Sequence, residues 1–252
     1  MTRLLFTKAA LFGGAVLGCL AHGAALAQSA LQSSVTVEIE SDRRERGLSW
    51  SDGKAAASLA AYIPATDRLS LDVEAVTLRD TARHGGSEVA ITAAPRLALT
   101  QSAWNLGVGA RGQLFVGRSG LSYVELTGDL DHTIGPVRVG LEAAFAPSQA
   151  AIGGENLYLS GRAEGGIPGT PLTVYGGAGH TSGSDRRVRA ARLRPGGDYF
   201  DYHLGVEYSR ADLSLGVRYS DTSIGKREID RLSPYFDRHY GARVVAYLRI
   251  TP

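Results

Sequence analysis

Apolar and polar residues alternate with a period of two along most of the chain. The alternation is clearest from Tyr240 to Ile250, and it recurs at 35–40, 68–75, 137–145, 202–208 and 213–219. Weaker runs of the same kind occupy 54–63, 88–99, 104–116, 121–132, 156–166 and 171–180. The 3.6-residue spacing of an amphipathic helix is not evident in any long stretch. The pattern therefore predicts an all-β protein of about twelve strands.

The predicted connections alternate between short and long. Short turns fall at 64–67, 100–103, 133–136, 167–170 and 210–212, and longer segments at 42–53, 79–87, 147–154, 181–198 and 222–237, with 117–120 as a short exception. This layout is typical of an antiparallel transmembrane β-barrel with short periplasmic turns and longer extracellular loops. Because a soluble sheet has the same period of two, a secreted β-sandwich or propeller is the alternative. Aromatic residues near strand ends favour the barrel, as in an interfacial girdle: Trp104, Phe145, Tyr202, Tyr208, Tyr219 and Tyr240.

The first 27 residues have the pattern of a secretory signal peptide. Arg3 and Lys8 precede an apolar run, and Ala25-Leu26-Ala27 forms a cleavage site before Gln28. A lipoprotein site at Cys19 is the less well-formed alternative. The predicted domains are thus a cleaved signal peptide, 1–27, and an outer-membrane barrel, 28–252.

Composition adds constraints on what holds the mature chain together. The sequence has 32 glycines in 252 residues, about 13% against a usual value of about 7%. Its formal net charge is +2 and 44% of its residues are hydrophobic, so it has enough apolar surface to fold. Cleavage would remove the single cysteine, which excludes disulfides. A large core or a closed sheet must supply the stability instead.

The segment after the first strand carries a charged motif, Ser41 to Ala56, which reads SDRRERGLSWSDGKAA. It resembles the TorF family of porin-like proteins, whose corresponding segment has the pattern S-D-Y-R-F-R-G-x-S-x-S-D-x-x-P-A. Nine positions match: Ser41, Asp42, Arg44, Arg46, Gly47, Ser49, Ser51, Asp52 and Ala56. Arg43, Glu45 and Ala55 depart from the pattern. The resemblance implies an outer-membrane barrel and no particular ligand residues.

Within this motif Asp42 and Asp52 face Arg44 and Arg46 across Gly47, which tolerates a positive φ. The segment either folds into the lumen as a charged constriction or pairs with itself and closes the outer end. The self-paired interpretation is preferred here.

Charged side chains are predicted to line the lumen. The acids are Glu38, Glu40, Asp72, Glu74, Glu125 and Glu142, and the bases are Arg96, Arg111, Arg138, Arg162, Arg218, Arg243 and Arg249. Closure of the sheet should place Arg243 and Arg249 against Glu38 and Glu40. These side chains either border a narrow aqueous channel or fill the barrel, since a twelve-stranded lumen is modest in width.

The fifth long loop, from Thr181 to Tyr199, is the most basic stretch. Its arginines are Arg186, Arg187, Arg189, Arg192 and Arg194. On the cell surface they would meet the phosphates of lipopolysaccharide. Folded inward they would make the mouth attract anions, and a solvated loop without a ligand is the third interpretation.

The function predicted from these features is an outer-membrane porin-like channel for passive passage of small polar solutes. The alternatives are a plugged structural or ligand-binding barrel and, less favoured, an outer-membrane lipid-modifying enzyme. Neither a G-x-S-x-G nor an H-E-x-x-H motif is present, so we expect no enzyme, metal or cofactor. The expected partners are outer-membrane lipid, lipopolysaccharide, small polar solutes and the barrel assembly machinery, but not nucleic acid.

Overall fold

A computed structural model describes residues 32–101, 103–184, 188–225, 233–236 and 238–252. The predicted signal peptide, 1–27, lies outside these ranges, as do Arg186 and Arg187 of the basic loop. Residues Ser33–Pro252 form one compact unit.

Within the described residues the chain forms fourteen strands, of which twelve close a barrel. The barrel strands are β1 (Ser34–Glu40), β4 (Ala56–Pro64), β5 (Leu69–Thr81), β6 (Ser87–Gln101), β7 (Trp104–Phe115), β8 (Tyr123–Ile134), β9 (Val137–Gln149), β10 (Gly154–Gly166), β11 (Leu172–Gly183), β12 (Tyr199–Arg210), β13 (Leu213–Thr222) and β14 (Arg243–Ile250). The short strands β2 (Arg44–Glu45) and β3 (Leu48–Ser49) form a separate hairpin. The predicted all-β class and strand count are confirmed.

Every barrel strand is antiparallel to its neighbours, and the sheet closes between β1 and β14. At this seam Val37 lies opposite Ile250 and Glu38 opposite Arg249. Strand β1 also pairs with β4, with Ser34 opposite Tyr62. The start of β1 and the end of β14 therefore lie at the end of the barrel that carries the short turns.

The two faces of the sheet differ as the alternation predicts. The outward face carries exposed Leu, Val and Ile, with Leu204 and Val244 each 61% exposed. The inward face carries Arg, Asp, Glu and Tyr side chains. A closed barrel with an apolar exterior overturns the alternative of a β-sandwich or propeller. Among the described residues, no helix is long and apolar enough to cross a bilayer.

Six connections emerge at the other end of the barrel: loop 1 (41–55), loop 2 (82–86), loop 3 (116–122), loop 4 (150–153), loop 5 (184–198) and loop 6 (223–242). Short 3-10 helices lie in loops 2 to 5, at Ala82–His84, Ser119–Leu121, Ala150–Ile152 and Val188–Arg192.

The last strand begins later than the alternation predicts, at Arg243 rather than Tyr240. Tyr240 is not a girdle residue, because it packs against a cluster of Leu48, Tyr199 and Ile224. A loop that folds back can continue the period of two without belonging to the sheet.

Candidate functional site

Glycines let charged side chains lie flat against the lumen wall. Gly140 on β9 lies between Asp131 on β8 and Arg162 on β10, whose Nη2 donates to Asp131 Oδ1 at 2.6 Å. A Cβ at Gly140 would come within 2.4 Å of that carboxylate oxygen. On the other side of β8, Gly107 on β7 likewise lies between Arg96 on β6 and Asp129 on β8, and the Arg96 side chain crosses over it. In each case an arginine crosses one strand to reach an acid two strands away.

On the opposite wall, tyrosine side chains likewise lie across glycines of the neighbouring strand. Tyr247 on β14 crosses Gly216 on β13, and its hydroxyl donates to Glu207 on β12 at 2.7 Å. Tyr175 lies over Gly205 and donates to the Tyr247 hydroxyl at 3.0 Å. Because these rings follow the wall, they narrow the lumen less than rings pointing to the barrel axis would.

A vestibule of about 750 Å³ results in the half of the lumen near the short turns. Its charged lining comes from six strands, β5 to β10, and comprises Asp72, Arg96, Arg111, Asp129, Asp131, Arg138, Glu142 and Arg162. Filling by long arginines, one of the two interpretations left open by the sequence, does not occur in this half of the lumen, because their guanidinium groups are held at the wall.

Loop 1 enters the lumen above the vestibule. Arg46 makes a bidentate pair with Glu125 on β8, with N–O distances of 2.8 and 2.7 Å, and its guanidinium stacks over Tyr158. Arg43 contacts Glu40 on β1 and Glu74 on β5. A second cavity of about 390 Å³ surrounds this hairpin and shares Arg111, Glu142 and Arg162 with the vestibule. Loop 1 is therefore the constriction of the lumen.

Burial shapes the ionisation of these loop 1 groups. Burial alone would lower the pKa of Arg46, but the charge of Glu125 and the hydrogen bonds to it hold that pKa well above the ordinary value. Burial raises the pKa of the neighbouring Glu45 carboxyl. The Arg46 guanidinium thus stays charged throughout the physiological pH range.

Loop 1 is also paired with itself, as preferred from the sequence. Asp42 accepts hydrogen bonds from the hydroxyls of Ser49 and Ser51 at 2.6 and 3.2 Å and from Arg44 at 3.2 Å. Arg44 additionally donates to the carbonyls of Gly47 and Gly241.

The preference for self-pairing alone was wrong, because Arg43 and Arg46 reach the barrel wall. Asp52 does not face Arg46 but pairs with Lys54 at 2.8 Å and lies 3.4 Å from His239. Gly47 has the expected positive φ, 75°, and packs too closely on Thr222 for any Cβ.

An apolar cluster fills the lumen beyond loop 1. Inward residues at the strand ends meet loop residues, and the cluster comprises Trp50, Val76, Leu78, Ala90, Phe115, Leu121, Tyr123, Ala146, Ala151, Ile152 and Leu193. Loops 1, 3, 4 and 5 all contribute to it. In the described part of the chain, the half of the barrel at the long-loop end is thus packed, and the half at the short-turn end holds the open vestibule.

The described arginines of the basic loop are structural elements rather than an exposed patch. Arg192 is fully buried, and it donates to the carbonyls of Arg83, Leu121 and Ala151 in loops 2, 3 and 4. Its guanidinium stacks over Phe115, and burial lowers its pKa to about 10.

The other described arginines of this loop are also engaged. Arg194 donates to Asn156 and Ser184, and Arg189 to the carbonyls of Gly120 and Ala150. The expectation that Arg192 and Arg194 contact lipopolysaccharide was wrong, because both are buried. A sequence shows the charge of such residues but not which backbone carbonyls need a donor.

The structure places the predicted lumen residues on the inward face. Ion pairs join Arg249 to Glu38, Arg218 to Glu40, Arg111 to Glu142 and Glu125, and Arg138 to Asp131 and Glu164.

One expectation for the lumen was wrong. Arg243 does not reach Glu40, because it lies near the loop end and donates to the Gly53 carbonyl at 3.2 Å. On the outward face of β8, His132 stacks on exposed Trp104 with ring centroids 4.1 Å apart. Across the described residues, no group of three or more His, Cys, Asp or Glu side chains is placed to hold a metal ion.

Comparison with solved structures places this barrel among known outer-membrane folds. The NanC porin and the KdgM porin each give a TM-score of 0.55 over 87% of this chain and 98% of theirs, at 10% and 8% identity. The COG4313 outer membrane channel from Pseudomonas putida F1 gives 0.53 over 90% of this chain and 97% of its own, at 12% identity. The similarity shows the fold, an antiparallel barrel of the porin kind.

Comparison of the sequence gives a family without an activity. A family model described as a bacterial protein of unknown function (Gcw_chp) matches residues 24–246. No curated protein matches the chain. The resemblance of loop 1 to the TorF family stays a prediction.

Proposed function

The chain belongs to the Gcw_chp family of bacterial proteins of unknown function, and we propose that it is an outer-membrane porin-like channel for small polar solutes. The observation that carries this proposal is the vestibule of about 750 Å³, whose charged side chains lie along the wall. An apolar exterior suited to lipid supports the outer-membrane location. The charged motif of loop 1 supports assignment to the TorF family.

Passage through the barrel requires loop 1 to move. The hairpin of loop 1 and the apolar cluster occupy the lumen at the end that carries the long loops, so the described conformation is the closed one. In the KdgM porin, a solved complex contains disordered oligogalacturonate. That precedent supports entry of a polar solute into a barrel of this fold. No catalytic step is proposed, since the similar structures are porins and channels.

Conductance across a planar bilayer tests this function. Purified wild-type protein should give rare, small conductance steps, and a variant with residues 43–50 replaced by a Gly-Ser linker should give frequent, larger ones. A matched control replaces exposed turn residues 65–68 in the same way and should behave as wild type. Silence of the loop 1 variant, with barrel folding confirmed by heat-modifiable gel migration, would contradict a channel.

A closed ligand-binding barrel is the second candidate. It is favoured by the apolar cluster, which packs the outer half of the lumen in the manner of a protein core. In that case solutes would enter the vestibule from the short-turn end and leave by the same route. Conductance that stays absent after loop 1 replacement is the result expected for this candidate.

A further inference from the structure

The vestibule presents arginines to water and covers the acids that pair with them. Arg138 and Arg162 are 50% and 43% exposed, whereas Asp131, which both contact, is 6% exposed. The same inequality holds where Arg249 meets Glu38 and where Arg218 meets Glu40. A lumen with balanced formal charges can therefore offer mainly N–H donors at its surface.

The difference in exposure between the arginines and the acids follows from side-chain length and from the inward glycines. The carboxylate of Asp131 is short and stays near the backbone of β8, while Arg162 reaches it across Gly140 and lies above the wall. Water then contacts the guanidinium first. A buried carboxylate beneath an exposed guanidinium fixes the orientation of the arginine without occupying all of its five N–H donors.

Arg138 and Arg162 share a single close carboxylate. Arg162 contacts Asp131 at 2.6 Å, and Arg138 lies 3.4 Å from the same residue. Glu164, itself 48% exposed, is 3.7 Å from Arg138, beyond hydrogen-bond distance. The two guanidinium groups thus retain donors toward the cavity, on one wall and near its entrance.

We infer that Arg138 and Arg162 form a binding site for small solutes that carry a carboxylate or phosphate group. A planar guanidinium matches both groups with two parallel N–H···O hydrogen bonds. Asp72, on β5, lines the same cavity from another strand and would repel such a solute, which confines the site to the β9–β10 wall. This inference rests on the proposed function, because it names the solute class that enters the vestibule.

Calorimetric titration of the detergent-solubilised full barrel tests the site without requiring conductance. The probes are citrate for the carboxylate class and inorganic phosphate for the phosphate class, at constant ionic strength. We expect saturable binding of at least one probe, weakened at least about tenfold in Arg138→Gln/Arg162→Gln, because each charge-assisted hydrogen bond is strong. Glu164→Gln should strengthen binding, since it removes the nearby competing charge.

Arg68→Gln/Arg210→Gln is the matched control, because it removes two exposed arginines at the same end of the barrel but outside the cavity. It should leave binding unchanged. Binding of neither probe, or equal weakening in this control, overturns the site. Conductance and probe binding, measured on the same protein, distinguish the two proposals: conductance without probe binding refutes the site alone, and binding in a silent barrel refutes the channel alone.

Discussion

Inward glycines are the residues that give the lumen its shape. Without a Cβ at Gly140 or Gly107, an arginine can cross a neighbouring strand and reach an acid. The high glycine content is visible in the sequence, and the alternation assigns several glycines to the inward face. The crossing partners were not predictable, because they depend on strand register, which a period of two does not specify.

Gly216→Ala tests this role of glycine. The new Cβ would lie 2.2 Å from Tyr247 Cζ, so the ring must leave the wall and its hydrogen bond to Glu207. We expect a loss of about 1–3 kcal/mol in the free energy of unfolding, typical of overpacking. Urea unfolding in lipid vesicles measures it. Gly166→Ala is the control, because no atom lies within 4 Å of its Cβ, and an equal loss there would refute the explanation.

At the scale of elements, loop 1 combines two kinds of ion pair. The Arg46–Glu125 pair is buried, with side chains 8% and 0% exposed, whereas Lys54–Asp52 lies at the surface. The motif indicated charged partners within the loop, and Arg44–Asp42 confirms one of them. The partner of Arg46 is 79 residues away in sequence, so local pairing rules could not identify it.

Arg46→Ala should be strongly destabilising. It leaves the Glu125 carboxylate buried without its cation, for which we expect a loss of about 3–5 kcal/mol in the free energy of unfolding. Lys54→Ala removes an exposed pair of the same loop and should change it by no more than about 1 kcal/mol. Urea titration of both variants compares them, and similar losses would contradict the assigned burial.

The loops at the outer end should respond to acid through His84. Burial and then the charges of Arg192 and Arg83 hold the pKa of His84 well below its ordinary value. The unfolded loop therefore binds a proton more readily than the folded one. The stabilising contribution is present above the unfolded pKa of about 6.5 and is lost as the pH falls toward the folded value.

Trp50 reports on this transition because its ring lies 4.5 Å from that of His84. With Trp104 replaced by phenylalanine, Trp50 is the sole tryptophan, and its emission should shift to the red as the pH falls below about 6.5. His84→Phe keeps the aromatic packing and should remove the shift. Protonation of Glu45 as the pH falls favours the folded loop instead, since burial raises the pKa of this carboxyl. A shift that survives in His84→Phe would refute this account.

At the scale of the whole molecule, the sequence was most informative about the barrel. The strand number, the two faces and the order of short and long connections all follow from local periodicity, because each strand pairs with its neighbour in sequence. The state of the lumen was left open between channel and filling. The lumen is filled at the long-loop end, where tertiary contacts among loops 1 to 5 pack it, and open at the short-turn end.

Substitution of outward and inward residues near mid-strand tests which face meets lipid. Val217 points outward and is 47% exposed, and Thr127 lines the vestibule. Val217→Arg should lower the free energy of unfolding in vesicles by about 2–4 kcal/mol near the bilayer midplane, because the guanidinium loses its water. Thr127→Arg introduces the same charge into an aqueous cavity and should lower it much less. Equal losses would mean that the two faces meet the same medium, which would exclude the membrane-spanning barrel on which the proposed channel depends.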